Sequence, residues 1–487
     1  MADRPYPQVV LDLLRAAGDR VVFEDGERHT TGAEMLALVG RIGGGLTRAG
    51  IGPGDGLALA VGVTAEAFAA IVAAHVAGTR VTGIRPGLPA SHLAHLLKNG
   101  DAAVIADPAR AAELSDADRL LLLPDLLGGP PETPVPVARP GDIARVIHTS
   151  GSTGLPKGCL QTYAALGAGW APHPERWPHA IRSLAPRLQR HLLFGTLSSQ
   201  VMIEYGVMAL AAGGTLVAAR PDLPGAIIRH RATSTVITVA KLRALVAAAR
   251  ADGSGPESLR ALMVSGSPLD PALLSAAIDV LGPVVFHGYG QTETGMITMT
   301  APEEMTTPGV RASVGRPPSV TTISIRGADG AECPAGAIGE VFVRTPAQAC
   351  GYLDDPEESA AVFTDGWVRT RDLGFLDPDG YLHLAGRTRD VIIVNANVQY
   401  AVPIARVLSA HPSVAEAQVV GVPSVETGEA VHAFVVPADG PPDLDLLRAL
   451  VRAELGEAAV PARITVIGEM PLTAAGKPDR AALLSAL

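Results

Sequence analysis

Val146-Ile147-His148-Thr149-Ser150-Gly151-Ser152-Thr153-Gly154-Leu155-Pro156-Lys157-Gly158 is the stretch that decides how this chain is read. Ala144 to His148 is an apolar run interrupted by Arg145, and predicts a buried strand. A loop of Gly, Ser and Thr with a single Lys follows, and after it a segment expected to be helical. Glycines let the backbone turn its amides inward, hydroxyls add donors, and Lys157 brings a compact positive charge. That is the chemistry of an anion cradle. It is not a Walker A loop, which needs Gly before the Lys and Ser or Thr after it. Pro156 and Gly158 stand in those places.

Working outward, composition sharpens the role of that lysine. Of 39 Lys plus Arg only four are Lys, at 98, 157, 241 and 477, so positive charge is otherwise carried by Arg. Lys157 and Lys477 both sit in loop contexts between Gly and Pro. A flexible ammonium differs from a rigid guanidinium in reach and in tunable pKa. A length of 487 residues predicts two or three domains, and 47% hydrophobic against 18% charged residues predicts well-buried cores. The formal charge of -10 and the lack of a basic run argue against nucleic-acid binding. Cys159, Cys333 and Cys350 lack metal-ligand spacing and suit a reducing compartment. The N-terminus has no apolar signal core, and Ala65 to Ala77 is too short to span a bilayer, so a cytoplasmic protein is expected.

From Leu57 to Phe286, apolar strand patterns alternate with helical ones, among them helices at Thr64 to Ala77 and Lys241 to Ala251. Such alternation implies parallel α/β sheets covered on both faces, with ligands held at the carboxyl ends of strands. After about Met305 short strands joined by Gly, Asp and Pro turns predict a barrel-like β subdomain, and from Val391 a small α+β unit. The expected division is residues 1–387, then a small mobile domain over 388–487.

A second candidate site is Gly288-Tyr289-Gly290-Gln291-Thr292-Glu293-Thr294-Gly295. An aromatic flanked by glycines can lie against a planar ring, a threonine can donate to phosphate, and a glutamate is a hard oxygen ligand for Mg²⁺. TSGSTGLPKG, GYGQTETG, the Asp372 loop in WVRTRDLG, GRTRD and PLTAAGKPDR occur in that order over roughly 330 residues. Together they resemble the AMP-forming, adenylate-forming superfamily of acyl-CoA synthetases, peptide-synthetase adenylation domains and luciferase-like enzymes, closest to acyl-CoA ligases.

The resemblance implies a nucleotide site made by Thr149, Ser150, Gly151, Ser152, Thr153, Gly154, Lys157, Tyr289, Gln291, Asp372 and Arg387. Tyr289 matches the adenine-stacking aromatic, and Asp372 the carboxylate that bonds the ribose hydroxyls, with Arg387 beside it. Thr292 and Glu293 match the phosphate and Mg²⁺ contacts, and Lys477 the mobile lysine that reaches the substrate carboxylate and α-phosphate. Arg389 occupies the hinge. Gln200, Gly266, Ser267 and Gly288 fall where the acyl group binds. Gln200 stands where amino-acid-activating domains place an Asp, so an amino-acid substrate is not expected, and the small residues Ser198, Ser199 and Ser265 to Ser267 point to a bulky, largely apolar acid. The implied cofactors are ATP or AMP, Mg²⁺ and coenzyme A. No carrier domain follows Leu487, so the expected thiol is free CoA or a separate carrier protein.

Three departures from the family pattern stand out. Arg371 replaces the usual Gly before the ribose-binding Asp, and a guanidinium there is expected to penalise adenylation by entering the phosphate channel or pairing with a nearby acid. Thioesterification of an acyl-adenylate supplied by another enzyme would then dominate. Asn395-Ala396 replaces a Gly-Gly pair in the loop that helps form the pantetheine tunnel, and Tyr163 replaces a His after the phosphate loop. A luciferase-like oxygenase shares the same motifs. A ligand-binding protein without catalysis is disfavoured by the joint presence of Lys157, Glu293, Asp372 and Lys477.

Overall fold

The computed structural model describes all residues except 1–5, 99–100, 150–156, 170, 172, 198, 221, 254, 267–268, 308, 395–396, 425, 439 and 474–476. Two large sheets have parallel interiors. One is eight-stranded and runs from the Gly295–Thr300 and Val285–Gln291 hairpin, through Ala261–Ser265, Ser234–Thr238, Arg190–Leu193 and Thr215–Ala218, to the hairpin Val21–Asp25 and Arg28–Thr31. The other is seven-stranded and carries Ile143–Thr149 beside Arg80–Gly83, Gly56–Ala60 and Ala103–Ala106. The helix Ala65–Val76 explains why both are well packed. It starts on a Thr64 cap and is buried at every position but Glu66, so it must be covered on all sides.

The strand Ile143–Thr149, which opens the Gly- and Ser-rich loop, is not followed there by a helix. Lys157–Thr162 returns antiparallel to it, with Thr149 opposite Lys157 and Ile147 opposite Cys159. The expected helix begins only at Tyr163. The alternation Cys159 in, Leu160 half out, Gln161 in is a strand period, and it decides the matter. Gly158 is required there, because a Cβ would lie 2.7 Å from Val146 Cγ1.

A five-stranded antiparallel sheet holds Thr322–Arg326, Gly339–Arg344, Trp367–Leu376 and Leu382–Arg387. Asp372 therefore sits on a strand rather than in a loop. Pairing slips between Phe342 opposite Arg369 and Glu340 opposite Leu373, which makes a bulge that contains Arg371 and Asp372. Arg371 takes a φ of 58°, the left-handed region that costs a non-glycine residue about 1 kcal/mol. The strand's alternation continues across the bulge, with Asp372 facing inward and Arg371 outward.

After Leu382–Arg387 a short 3₁₀ turn, Thr388–Asp390, leads to a second mixed sheet of five strands packed on the helices Ala401–Ser409 and Leu444–Leu455. Its contacts with the rest of the chain include Arg406 on the Ala312 carbonyl (3.4 Å), and Arg243 on Glu416 (3.5 Å) and on the Ala415 carbonyl. The fold is thus mixed α/β, with a large N-terminal part and a small C-terminal one. Among the described residues no helix is long and apolar enough to cross a membrane.

Candidate active site

Asp372 is the centre of the site. It is 5% exposed, and its Oδ2 accepts from the Tyr289 hydroxyl at 2.6 Å and from Gln291 Nε2 at 2.6 Å. Its Oδ1 accepts from Arg387 Nε at 2.9 Å. The Gly290 turn permits this convergence, because a Cβ there would lie 2.3 Å from the Gly295 carbonyl oxygen. Burial, and then the Asp372 charge, push the Tyr289 phenol well above its ordinary pKa, so it stays a donor. A carboxylate has about four lone-pair sites. Three bonds leave one on Oδ1 for a ligand among the described residues.

Lys477 belongs to the C-terminal unit, on a turn closed by Thr473 N donating to its carbonyl at 2.7 Å. The residue is exposed, yet its side chain reaches the cleft: Cε lies 4.0 Å from where Gly266 would carry a Cβ. Desolvation, and then the Arg387 guanidinium, hold its ammonium below the ordinary lysine range, while Asp372 and Glu293 pull it up. Lys477, Asp372 and Glu293 thus share one electrostatic neighbourhood.

Lys157 makes the third corner. Its Nζ lies 3.0 Å from Asp355 and 3.4 Å from Glu358, and 5.8 Å from the Tyr352 ring centre. Desolvation pulls its pKa down, but the two acids outweigh that and raise it. Glu358 is also gripped by Arg371 through two bonds of 2.9 Å. Those bonds, more than Lys157, hold Glu358 below the ordinary carboxylate range. Tyr352 donates to Glu293 Oε1 at 2.7 Å. Sequence reasoning missed Tyr352, Asp355 and Glu358. The signal was the acid-rich run Asp354-Asp355-Pro356-Glu357-Glu358, within four residues of which both partners of Lys157 fall.

Of the remaining expected residues, Thr292 sits on the hairpin turn between Gln291 and Gly295, and Gly288 lies inside the Val285–Gln291 strand. Gln200 starts the helix Gln200–Ala211 and lines a pocket beside Thr294, Gly295 and Met296. Arg389 lies exposed on the Thr388–Asp390 turn. Thr149 contributes its backbone to the hairpin, while Ser150, Gly151, Ser152, Thr153, Gly154, Ser267 and the Asn395-Ala396 pair lie outside the described residues. Tyr163 turns into the core, where its hydroxyl bonds the Thr79 carbonyl at 2.8 Å.

Among the described residues no three His, Cys, Asp or Glu cluster as a metal cage. Mg²⁺ does not need one, since it usually takes one or two carboxylates, water and substrate phosphates. Glu293, with one oxygen outside its bond to Tyr352, fits that donor set.

Residues 13–353 match the AMP-binding enzyme family, and residues 404–477 match the AMP-binding enzyme C-terminal domain. The chain belongs to this family. It is 31% identical to a 2-succinylbenzoate–CoA ligase of Geobacillus kaustophilus, over 94% of this chain and 93% of that protein. It is 30% identical to the fatty acid–[acyl-carrier-protein] ligase ScoC of Streptomyces coeruleorubidus, over 90% of this chain and 88% of the relative. Among solved structures, the amide bond synthetase McbA from Marinactinospora thermotolerans superposes with a TM-score of 0.88 at 34% identity, covering 98% of both chains. This AMP-binding enzyme is therefore an adenylate-forming protein close to the acyl-CoA ligases.

Two outcomes follow from the site. Asp372→Ala takes a charged acceptor from Tyr289, Gln291 and Arg387, leaving Gln291 its bond to the Thr370 carbonyl, and removes the oxygen expected to accept from the ribose. Affinity for AMP, measured by calorimetry on folded protein, should fall tenfold or more, about 1.4 kcal/mol; unchanged affinity would remove Asp372 from the nucleotide site. The depressed Lys477 pKa gives a second outcome. An ammonium acts only while protonated, so adenylation should decline as pH rises through a pKa below the ordinary ~10.4. In Lys477→Arg any residual activity should lose that alkaline limb, because guanidinium keeps its proton.

Proposed function

We propose that this chain is an ATP-dependent acid ligase that makes an acyl-adenylate and passes the acyl group to the thiol of coenzyme A. In the first step a carboxylate oxygen bonds to the α-phosphorus of ATP, and the bond to the β-phosphate oxygen breaks, releasing pyrophosphate. In the second a thiolate attacks the acyl carbon, AMP leaves, and the thiol proton passes to solvent. The observation that carries this reading is the gathering of Lys477, Asp372 and Glu293 around one cleft. A carboxylate and a triphosphate repel, so attack needs cations and oriented donors where charge develops. Lys477 supplies the cation, Thr292 a donor, and Asp372 orients the nucleoside. Glu293 would hold Mg²⁺, which when bound neutralises phosphate charge.

Lys477 serves only while the C-terminal domain, residues 388–487, stands over the cleft. Rotation about Arg389 would withdraw it and admit the thiol, a division of labour suited to a hinge. Lys477→Ala should therefore lower acid-dependent ATP–pyrophosphate exchange a hundredfold or more while sparing thioester formation from supplied acyl-adenylate. Equal loss of both partial reactions would refute the assignment. The likeness to McbA favours a second acceptor, an amine in place of the thiol. Mass spectrometry of reactions offered CoA and a primary amine separates the two, thioester being the expected product.

In this reading Arg371 acts in the opposite sense to the penalty on adenylation expected from the sequence. The guanidinium is committed to Glu358, and the burden on adenylation comes from Asp355 and Glu358, which hold the phosphate-loop lysine until ATP displaces them. The second half-reaction needs no pyrophosphate site and escapes that burden, which favours thioesterification of a supplied acyl-adenylate. Arg371 shares Glu358 with Lys157 and so loosens the hold. Arg371→Gly should raise the KM for ATP about threefold or more, and adding Glu358→Gln should reverse the rise, a coupling that a double-mutant cycle measures. Additive effects would leave Arg371 a merely structural partner.

A further inference from the structure

A pocket open to solvent adjoins the Thr292–Glu293 turn through Thr294, Gly295 and Met296. Apolar side chains line its walls, among them Leu166, Ile203 and Val207. Arg145, Gln161, Gln200 and Glu204 form a polar cluster in its lining that the adenylation chemistry does not use. Arg145, the residue that interrupts the apolar strand, donates through Nη2 to Glu204 Oε1 at 2.7 Å and through Nε to Gln161 Oε1 at 2.5 Å. Gln200 Nε2 donates to the same Glu204 oxygen at 3.0 Å. The Arg145 side chain is 11% exposed and that of Glu204 28%. A second cavity adjoins, sharing Tyr6, Arg145, Gln200 and Ile203.

Oε1 of Glu204 thus receives two donors, while Oε2 has no protein donor among the described residues. The Arg145 charge is cancelled at contact distance. A pocket so arranged offers a guest an acceptor oxygen and an apolar body, but no net positive charge. An incoming second carboxylate would meet the Glu204 charge beside an arginine already paired, whereas a neutral hydroxyl or N–H gains a bond to a charged acceptor. A site built to bond such a group rejects the analogue that lacks it, because the site's own polar atom is then left dry and unpaired.

We propose that Glu204, with Arg145 and Gln200 holding it, selects carboxylic acids whose apolar body ends in a neutral hydrogen-bond donor, a hydroxyl or ring N–H. This rests on the acid-ligase reading for what then happens to the acid, and it refines the expectation of a largely apolar substrate. Glu204 is here a specificity residue, and the reacting carboxylate lies at the other end of the guest, toward Thr292 and Lys477.

A rigid trio tests it: 6-hydroxy-2-naphthoate, 2-naphthoate and 2,6-naphthalenedicarboxylate, titrated without ATP by their own fluorescence. The hydroxy acid should bind tenfold or more tighter than the parent, with the diacid weakest. Glu204→Gln removes the charged acceptor and frees the Arg145 charge. It should bring hydroxy acid and parent within about threefold and strengthen the diacid. Equal binding of parent and hydroxy acid by the unaltered protein, a preference for the diacid, or no binding of any of the three overturns the proposal, as does an order unchanged in Glu204→Gln. ATP–pyrophosphate exchange with the same acids tests the ligase reading separately: the predicted binding order without exchange would refute that reading and leave the pocket assignment standing.

Discussion

One buried carboxylate ties this site together. Asp372 comes from the antiparallel sheet, Tyr289 and Gln291 from the edge hairpin of the eight-stranded sheet, and Arg387 from the last residue before the C-terminal unit. A charge at 5% exposure is costly unless its oxygens are bonded. Satisfying this one therefore fixes three separate elements relative to each other.

How much of this could be read from the sequence depended on how local the cause was. The helix Ala65–Val76, expected over Thr64 to Ala77, is legible to within one residue at each end, since its Thr64 cap and the Gly78 that follows it are local. The helix Gly32–Arg48 escaped notice because it contains Gly43-Gly44-Gly45, a poor helical run in isolation. Tertiary packing overrides that propensity. A Cβ at Gly40 would lie 2.1 Å from the Glu132 carbonyl oxygen and one at Gly45 2.5 Å from that of Leu126, so the glycines allow a chain segment to lie against the helix. The strand after the phosphate loop was hidden differently, its short alternation masked by the loop in front of it.

The candidate site shows the same division. Motif residues such as Lys157, Glu293, Asp372 and Lys477 announce themselves by type and context. Their partners do not. Glu358 lies 201 residues from Lys157 along the chain and Glu204 lies 59 from Arg145, and nothing in either local pattern says which charges will meet. Arg145 did leave a trace, as the one charge within an apolar strand. Such a residue must find a partner when the strand is buried, and that need points to the pocket before its lining is known.

The site balances its own charges in a way that suits its chemistry. Lys157 rests on Asp355 and Glu358, Glu293 on the Tyr352 hydroxyl, and Asp372 on Arg387, so each group that would meet a nucleotide already has a neutralising or donating partner. Nucleotide binding is then an exchange of partners rather than the filling of a bare cationic hole. The net gain is the difference between two sets of contacts, as in any exchange of hydrogen bonds. Lys477 stands apart, since among the described residues its side chain has only longer-range attraction from Asp372 and Glu293 to offset desolvation and two arginines. An ammonium held so loosely is ready to follow a carboxylate and an α-phosphate when they arrive, and to leave when they have reacted. The two lysines thus differ for a physical reason: one is parked on acids that phosphate must displace, the other is under-neutralised until substrate completes its shell.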